Sequence, residues 1–222
     1  MKVIIFGATG MVGQGVLREC LIDDGISSLL TVGRTATGIA SPKLCEIQHP
    51  DLLDYRPIES RLAGFDACFF CLGISSAGMK EADYERLTHD VTLAAAETLS
   101  RLNQEMVFTY VSGAGTDSSE QGRVMWARVK GRTENALLKL PFKGAFMFRP
   151  GVIRPMHGAA SKTRSYRLLY AVMAPVLPLL QWAFPKSVLT TVIIGRAMIN
   201  TVRRGFPKPI LESSDIYAVA HG

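Results

Sequence analysis

The chain has 222 residues, 48% of them hydrophobic, which is enough for one sizeable core and excludes a disordered protein. Its net charge of +6 comes from 25 basic and 19 acidic residues. No predicted element gathers the basic residues into one stripe, so we expect no nucleic acid partner. A basic balance suits an anionic small molecule instead. The length also predicts a single domain over residues 1–222, because a second large domain would not fit.

The first predicted elements are a strand, a glycine turn and a helix. Val3–Phe6 is a continuous apolar run, typical of a parallel strand that is buried on both faces. Glycines follow at a spacing of three, and apolar residues then recur at helical spacing from Met11 to Cys20. The amino end of a helix offers free N–H groups and a positive dipole to a pyrophosphate. We therefore predict a dinucleotide site at Gly7, Thr9, Gly10, Met11, Val12 and Gly13. The alternative is a turn that merely joins strand to helix.

The second predicted strand, Ser28–Val32, ends at Arg34 rather than at an acidic residue. In dinucleotide-binding folds, an Asp or Glu at this position binds the adenosine ribose hydroxyls. An arginine attracts a 2′-phosphate instead, so the sequence favours NADP(H) over NAD(H). The alternative is that Arg34 is a solvated loop residue.

The central part of the chain continues the alternation of strands and helices. A short strand is predicted over Lys43–Gln48, another over Asp66–Leu72, and a long helix over Glu81–Leu102 with Leu87 on its core face. Gly73 follows the fourth strand, where the backbone passes close to a bound cofactor.

Two cysteines in the fourth strand form a Cys-x-x-Cys pair. Cys68 and Cys71 are three residues apart on a strand and therefore point to opposite faces, so we predict buried thiols and no metal site. Reduced thiols, together with a first strand that leaves no room for a signal peptide, predict a cytoplasmic protein.

The fifth predicted strand, Met106–Val111, ends at Ser112, and the next helix contains Trp126-Ala-Arg-Val-Lys130. A sixth strand, Ala145–Phe148, leads into an Arg-Pro-Gly-Val turn that begins at Arg149. The carboxyl ends of such strands face the ligand crevice of an open α/β sheet. Ser112 is therefore either a ligand-facing residue or a cap on a glycine turn.

The last part of the chain, 156–222, is predicted to be a mostly helical extension. Lys162–Phe184 is apolar in its second half, but prolines interrupt it, so a membrane helix is not expected. We interpret it as a pocket wall or a homodimer interface, with shallow insertion into a membrane surface as a minor alternative. A helix over Thr190–Arg204 and a strand over Lys208–Leu211 complete the chain.

The glycine spacing, Lys130 and the Arg-Pro-Gly turn resemble the short-chain dehydrogenase/reductase superfamily over residues 1–155, and most of all its atypical TIP30-like and epimerase-like group. The resemblance implies an α/β fold: a doubly wound parallel sheet of the NAD(P)-binding Rossmann type. It also implies roles for further residues. Ser112 would hydrogen-bond the substrate carbonyl, and Lys130 would hold the nicotinamide ribose.

The resemblance implies two further contacts with the cofactor. Asp51, with Asp54 as its competitor, and the backbone of Leu52 would lie beside the adenine, although either acid is equally suited to capping a helix near Pro57. The residues of the Arg-Pro-Gly turn that would flank the nicotinamide are Pro150, Gly151 and Val152.

The sequence departs from this superfamily at one position that matters for chemistry. Active members carry Tyr-x-x-x-Lys, in which the lysine lowers the tyrosine pKa and the tyrosine transfers the carbonyl proton. Trp126 stands in place of the tyrosine, and its indole does not ionise near neutral pH. We predict an NADP(H)-dependent oxidoreductase or isomerase acting on a small apolar carbonyl or enone, with Tyr84, His89 or water supplying the proton. The alternative is a catalytically silent NADP(H)-binding sensor.

Overall fold

The computed structural model describes residues 1–160, 173 and 176–222. Its main feature is a seven-stranded sheet in the order β3-β2-β1-β4-β5-β6-β9, in which every neighbouring pair is parallel. The strands of this sheet are β1 (Lys2–Phe6), β2 (Ser28–Gly33), β3 (Leu44–Gln48), β4 (Ala67–Phe70), β5 (Val107–Val111), β6 (Gly144–Arg149) and β9 (Ile210–Glu212). Two shorter strands, β7 (Val152–Arg154) and β8 (Val188–Thr190), pair with each other alone.

Helices cover both faces of the sheet, and each face has its own apolar core. Alternate residues of β1 show the division: Ile4 and Phe6 enter one core, while Val3 and Ile5 enter the other. The α-helices are α1 (Met11–Ile22), α2 (Glu81–Glu85), α3 (Val91–Leu102), α4 (Met125–Leu137), α5 (Leu177–Ala183), α6 (Thr191–Arg204) and α7 (Ser213–His221). A short 3₁₀-helix spans Arg56–Arg61. The predicted doubly wound α/β fold with C-terminal helices is confirmed.

The long helix predicted over Glu81–Leu102 is interrupted by a π-helical turn at Arg86–Asp90. Such a turn adds one residue to the helical repeat and rotates the residues on either side relative to each other. Leu87 is consequently 44% exposed, so its predicted place on the core face is wrong. Val91 and Leu99, which follow the turn, are buried as predicted.

The C-terminal region contributes both to the sheet and to its cover. Thr190 caps α6 through its Oγ1, which accepts a hydrogen bond from the Ile193 N–H at 3.1 Å. β9 then joins the sheet edge beside β6, and α7 follows it. Of the apolar segment predicted from Lys162 to Phe184, residues 162–172 and 174–175 lie outside the described part of the chain. In the described remainder, Trp182 is 81% exposed. Within the described ranges, the helices are too short or too polar to span a bilayer.

Candidate functional site

A cleft of about 960 Å³ opens at the carboxyl ends of the sheet strands, where β1 and β4 are neighbours and their connections diverge. Most of the predicted site residues lie together in its lining: Gly7, Thr9, Gly10, Met11, Val12, Arg34, Leu52, Gly73, Ser112, Lys130, Pro150 and Gly151. Three predicted residues, Gly13, Asp51 and Val152, are not among the described residues that line it. Ile153 lines the cleft where Val152 was predicted to do so.

The glycine turn at one end of the cleft depends on the absence of side chains. Gly7 has φ +75°, and a Cβ there would lie 2.6 Å from the Leu72 nitrogen. A Cβ on Gly13 would lie 2.1 Å from the Gly7 carbonyl oxygen, so this glycine lets α1 pack directly against the turn. Gly73 differs from both, since a Cβ there would meet nothing within 4 Å. A side chain on Gly73 would enter the open cleft, so the predicted close approach of this backbone to a cofactor stays a prediction.

Helix α1 begins at this turn without a side-chain cap from the described residues. Its N-cap residue, Gly10, makes no side-chain capping bond, and the first turn carries no acidic residue. The first N–H groups of a helix have no partner within the helix, and here Met11 and Val12 bring them to the wall of the cleft. A glycine cradle beside an uncapped helix end fits the diphosphate of a dinucleotide.

The same end of the cleft includes the end of β2, the neighbour of β1, where Arg34 is exposed in the lining. A residue that the sequence analysis missed, Glu46 on β3, organises this end. Its Oε2 accepts hydrogen bonds from the Thr31 hydroxyl at 3.0 Å and the Thr37 N–H at 2.8 Å. This carboxylate therefore fixes the loop that carries Arg34.

The acidic residues predicted near the adenine make local contacts instead. Asp51 is exposed, and its Oδ1 accepts a hydrogen bond from the Leu53 N–H at 2.9 Å. Asp54 pairs with Arg56 at 2.7 Å. Leu52 is buried and lines the cleft.

At the other end of the cleft, Ser112 is buried at the end of β5. Its hydroxyl donates to Oε1 of Glu134, and the Phe148 carbonyl oxygen lies 3.2 Å from the same Oγ. A carboxylate and a carbonyl are both hydrogen-bond acceptors. Whether the Ser112 hydroxyl donates to Glu134 or to Phe148, its single proton therefore points into the protein interior. Towards the cleft, Ser112 offers lone pairs only. The predicted role of Ser112 as a hydrogen-bond donor to a substrate carbonyl does not fit this geometry.

Glu134 belongs to a buried ion pair that the sequence analysis also missed. Its carboxylate is fully buried on α4 and pairs with Arg149, whose Nε lies 3.1 and 3.2 Å from the two oxygens. The Arg149 side chain also donates to the Ser118 hydroxyl at 2.6 Å and lies 3.4 Å from Glu212. The pair joins β6, α4 and the end of β9. One signal was available: Glu134 lies four residues after Lys130, on the same face of the helix.

Lys130 is the cation at this end of the cleft. Its Nζ donates to the Ser112 carbonyl oxygen, which is one of the three bonds that an ammonium can donate. Burial lowers the pKa of Lys130 to about 8, although the nearby Glu134 carboxylate acts in the opposite direction. Trp126 lies one helical turn earlier and also lines the cleft. Its indole is an apolar wall where the superfamily has an ionisable phenol.

The two side chains predicted as alternative proton donors lie in different surroundings. Tyr84 lines the cleft but is only 2% exposed. His89 lies in the π-helical turn, where its Nδ1 is 3.0 Å from the carboxylate of Asp90, and it is not among the described residues that line the cleft. Only Tyr84 therefore remains near the site.

The sequence is similar to several curated proteins, whereas no protein-family model matches it. It is 31% identical over 153 residues to "Protein FMP52-2, mitochondrial" of Scheffersomyces stipitis, covering 67% of this chain and 65% of that protein. It is 27% identical over 155 residues to "Protein HTATIP2" of Rattus norvegicus, covering 68% and 62%. The chain thus spans slightly less than two thirds of the length of these relatives.

Solved structures of similar fold cover nearly the whole chain. The Bordetella bronchiseptica enzyme WbmF in complex with NAD⁺ has a TM-score of 0.66 at 14% identity, covering 98% of this chain and 76% of that one. A short chain dehydrogenase family protein from Francisella tularensis has a TM-score of 0.66 at 13% identity, covering 98% of each chain. At these identities the likeness concerns the fold alone.

The comparisons correct one prediction and confirm another. Several fungal relatives are named as mitochondrial proteins, so the predicted cytoplasmic location is wrong. Reduced thiols and an early first strand do not distinguish these compartments. The predicted resemblance is confirmed: this chain is similar in sequence and in fold to the atypical short-chain dehydrogenases/reductases.

Proposed function

We propose that the chain binds NADP(H) in the cleft and acts as an oxidoreductase or isomerase on a small apolar carbonyl compound. The observation that carries this proposal is the glycine cradle at Gly7 and Gly13 beside the uncapped first turn of α1. A bound nicotinamide supplies or accepts a hydride. The protein residues described below bind, orient and stabilise charge.

The residues at the two ends of the cleft have separate tasks in this proposal. Backbone N–H groups of the first turn of α1 hold the diphosphate. At the far end, Pro150 and Gly151 form a wall, and the Lys130 ammonium places a positive charge beside the reacting carbonyl. Ser112 holds Lys130 through its backbone carbonyl, so we assign it a positioning role.

A preference for NADP(H) over NAD(H) rests on Arg34, which is exposed in the lining at the end of β2. A guanidinium there pairs favourably with a 2′-phosphate. Glu46 supports this arrangement because its hydrogen bond with the Thr37 N–H holds the loop that carries Arg34, while its bond with the Thr31 hydroxyl ties that loop to β2.

A titration of the purified protein with NADPH and with NADH, followed by fluorescence, tests both parts. We expect NADPH to bind about tenfold more tightly, which corresponds to one charge-assisted contact of about 1.4 kcal/mol. In Arg34→Leu this preference is lost, whereas the matched control Arg61→Leu, an exposed arginine outside the lining, retains it. Failure to bind either dinucleotide refutes the proposal, and tighter binding of NADH refutes the assignment of Arg34.

A silent NADP(H)-binding sensor is the second candidate, and Trp126 is the observation in its favour. In Trp126→Tyr, the phenol of the superfamily is restored one turn before Lys130. NADPH oxidation with a panel of carbonyl compounds is compared between the parent and this variant. Turnover in the parent supports an enzyme, whereas turnover in Trp126→Tyr alone supports the sensor.

A further inference from the structure

The segment 156–160, which follows β7, is bound to the start of α1 by one side chain, Gln14. The Gln14 Nε2 donates to the Ala160 carbonyl oxygen at 3.3 Å, and its Oε1 accepts from the Ala160 N–H, also at 3.3 Å. The same Nε2 donates to the Thr9 carbonyl oxygen at 2.9 Å. A single carboxamide therefore joins the glycine turn to the segment 156–160.

These hydrogen bonds use both donors and the acceptor of the Gln14 carboxamide. They also fix the direction in which the group faces. If its nitrogen and oxygen exchanged places, the oxygen would face two carbonyl oxygens and the nitrogen would face an N–H. The contact consequently requires this amide in this orientation, and an apolar side chain of the same length makes none of the three bonds.

The segment 156–160 is also held at its other end. The Met156 N–H donates to the Thr191 Oγ1 at 3.2 Å, and Thr191 packs so closely on α1 that a Cβ on Gly15 would lie 2.4 Å from the Thr191 Cβ. Between the two attachments, the Ala159 N–H donates to the Met156 carbonyl oxygen at 3.0 Å, and His157 has φ +53°. A left-handed backbone is unfavourable for a residue other than glycine, so the surrounding contacts stabilise this turn.

The segment 156–160 links two parts of the cleft wall. It follows β7, whose Ile153 lines the cleft, and it ends at Gln14, beside the glycine turn. We infer that Gln14 is a positioning residue for the dinucleotide, and that cofactor binding and the contact between Gln14 and Ala160 stabilise each other. This inference rests on the proposed function.

The physical basis of the coupling is the Thr9 carbonyl. A diphosphate bound by N–H groups of the glycine turn and α1 restricts the backbone of that turn. The Thr9 carbonyl then holds the Gln14 amide in the orientation that Ala160 requires, so the amide loses less conformational freedom when it binds the segment 156–160. Such coupling is reciprocal: the contact with Ala160 raises the affinity for the dinucleotide by the factor by which the dinucleotide strengthens the contact.

NADPH affinity and amide hydrogen exchange test the two directions of this coupling. Gln14→Met keeps the length of the side chain and removes its hydrogen bonds, so we expect NADPH to bind about fivefold more weakly, the effect of one ordinary hydrogen bond. In the parent, saturating NADPH should slow amide exchange in residues 156–160 by a similar factor, and in Gln14→Met it should leave this exchange unchanged. Gln121→Met, at an exposed glutamine outside the lining, should behave like the parent.

A double-variant cycle assigns the coupling to one contact. Ala160→Pro removes the N–H that donates to the Gln14 Oε1 and leaves α1 unaltered, so it tests the contact even if Gln14→Met is poorly folded. It should weaken NADPH binding by the parent and add little to the loss in Gln14→Met, because both changes break the same contact. Fully additive losses overturn the inference.

NADPH binding by the parent distinguishes failure of this inference from failure of the proposed function. If the parent does not bind NADPH, the proposed function is refuted. If the parent binds NADPH but Gln14→Met and Ala160→Pro bind it equally well, the inference alone is overturned. The same holds if NADPH binds without slowing amide exchange in residues 156–160.

Discussion

The two ends of the cleft are formed by different kinds of group. The end at Gly7 and Gly13 consists of backbone, and its shape follows from residues that are neighbours in the sequence. The end at Ser112 and Lys130, the substrate end, depends on contacts between elements: Ser112 after β5 meets Lys130 and Glu134 of α4, and Glu134 pairs with Arg149 of β6. A short stretch of sequence therefore determines the shape of the first end, whereas the second end depends on which residues come together after folding.

The largest effect on stability is expected at the buried ion pair of the substrate end. In Glu134→Leu, the Arg149 cation keeps its burial and loses its carboxylate, which costs about 3–5 kcal/mol in the free energy of unfolding. Because two apolar residues of similar size replace a buried ion pair at little cost, the double variant Glu134→Leu/Arg149→Met should recover most of the loss. Urea denaturation of the single and double variants measures both quantities. A single variant within about 1 kcal/mol of the parent would contradict the ion pair's importance.

The backbone end should respond to a single methyl group. In Gly13→Ala, the Cβ would lie 2.1 Å from the Gly7 carbonyl oxygen, so α1 has to move away from the turn. We expect NADPH affinity to fall by more than about 100-fold, or about 2.7 kcal/mol. Gly222→Ala is the control, because Gly222 lies outside the lining and a Cβ there meets the Ala218 carbonyl oxygen at 3.4 Å, an ordinary contact. Calorimetric titration gives both affinities, and circular dichroism checks that each variant is folded. Equal losses in the two variants would show that the cradle has no special role.

This difference also explains what the sequence analysis predicted and what it missed. Apolar runs and glycine spacing are local signals, and β1, the turn and α1 begin within a residue of their predicted positions. The π-helical turn at Arg86–Asp90 leaves no mark in the apolar pattern, so the exposure of Leu87 was missed. The three-residue strands β7 and β8 are too short to show any periodicity.

At the substrate end, the sequence predicted which residues line the cleft but not which contacts they make. Ser112 was predicted from its place at the end of the fifth strand and Lys130 from the resemblance to the superfamily, and both line the cleft. The direction of the Ser112 proton depends on Glu134, which is 22 residues away. A hydrogen bond between distant residues has no sequence signature, and a serine is equally able to donate or accept. Helix α7 was missed although Glu212 and Asp215 form a capping box at its start.

A smaller effect is expected from pH, and it separates the ends because Lys130, whose pKa is lowered by burial, lies at the substrate end. The folded-state pKa of Lys130 is about 8, so the ammonium is present below that pH and lost above it. Affinity for an anionic aromatic probe such as 4-nitrophenolate should fall about tenfold per pH unit above pH 8, and this break should be absent in Lys130→Gln. NADPH affinity should show no break of this size, because the diphosphate contacts are backbone amides.

The pH dependence of protein stability is an independent test of the Lys130 pKa. An unfolded lysine has its ordinary pKa of 10.5, so between about pH 8 and 10.5 the unfolded chain binds a proton that the folded chain does not. Stability rises with pH wherever the unfolded state binds more protons. The contribution of Lys130 should therefore make the free energy of unfolding increase across this interval relative to Lys130→Gln, as measured by urea denaturation. If this difference in the free energy of unfolding stays constant or falls as pH rises, the Lys130 side chain is solvated.

The smallest effect on rate is expected at the residue that the superfamily would make most important. If Ser112 donated to the substrate, Ser112→Ala would lower kcat by about 10²–10³-fold, as removal of an oxyanion donor does. Since its proton is held by Glu134 or by the Phe148 carbonyl, we expect a change below about threefold in NADPH oxidation with a carbonyl substrate. The loss should appear in stability instead, at about 1.5–3 kcal/mol for a hydrogen bond to a charged group. A hundredfold fall in rate with unchanged stability would mean that the hydroxyl turns towards the cleft during the reaction.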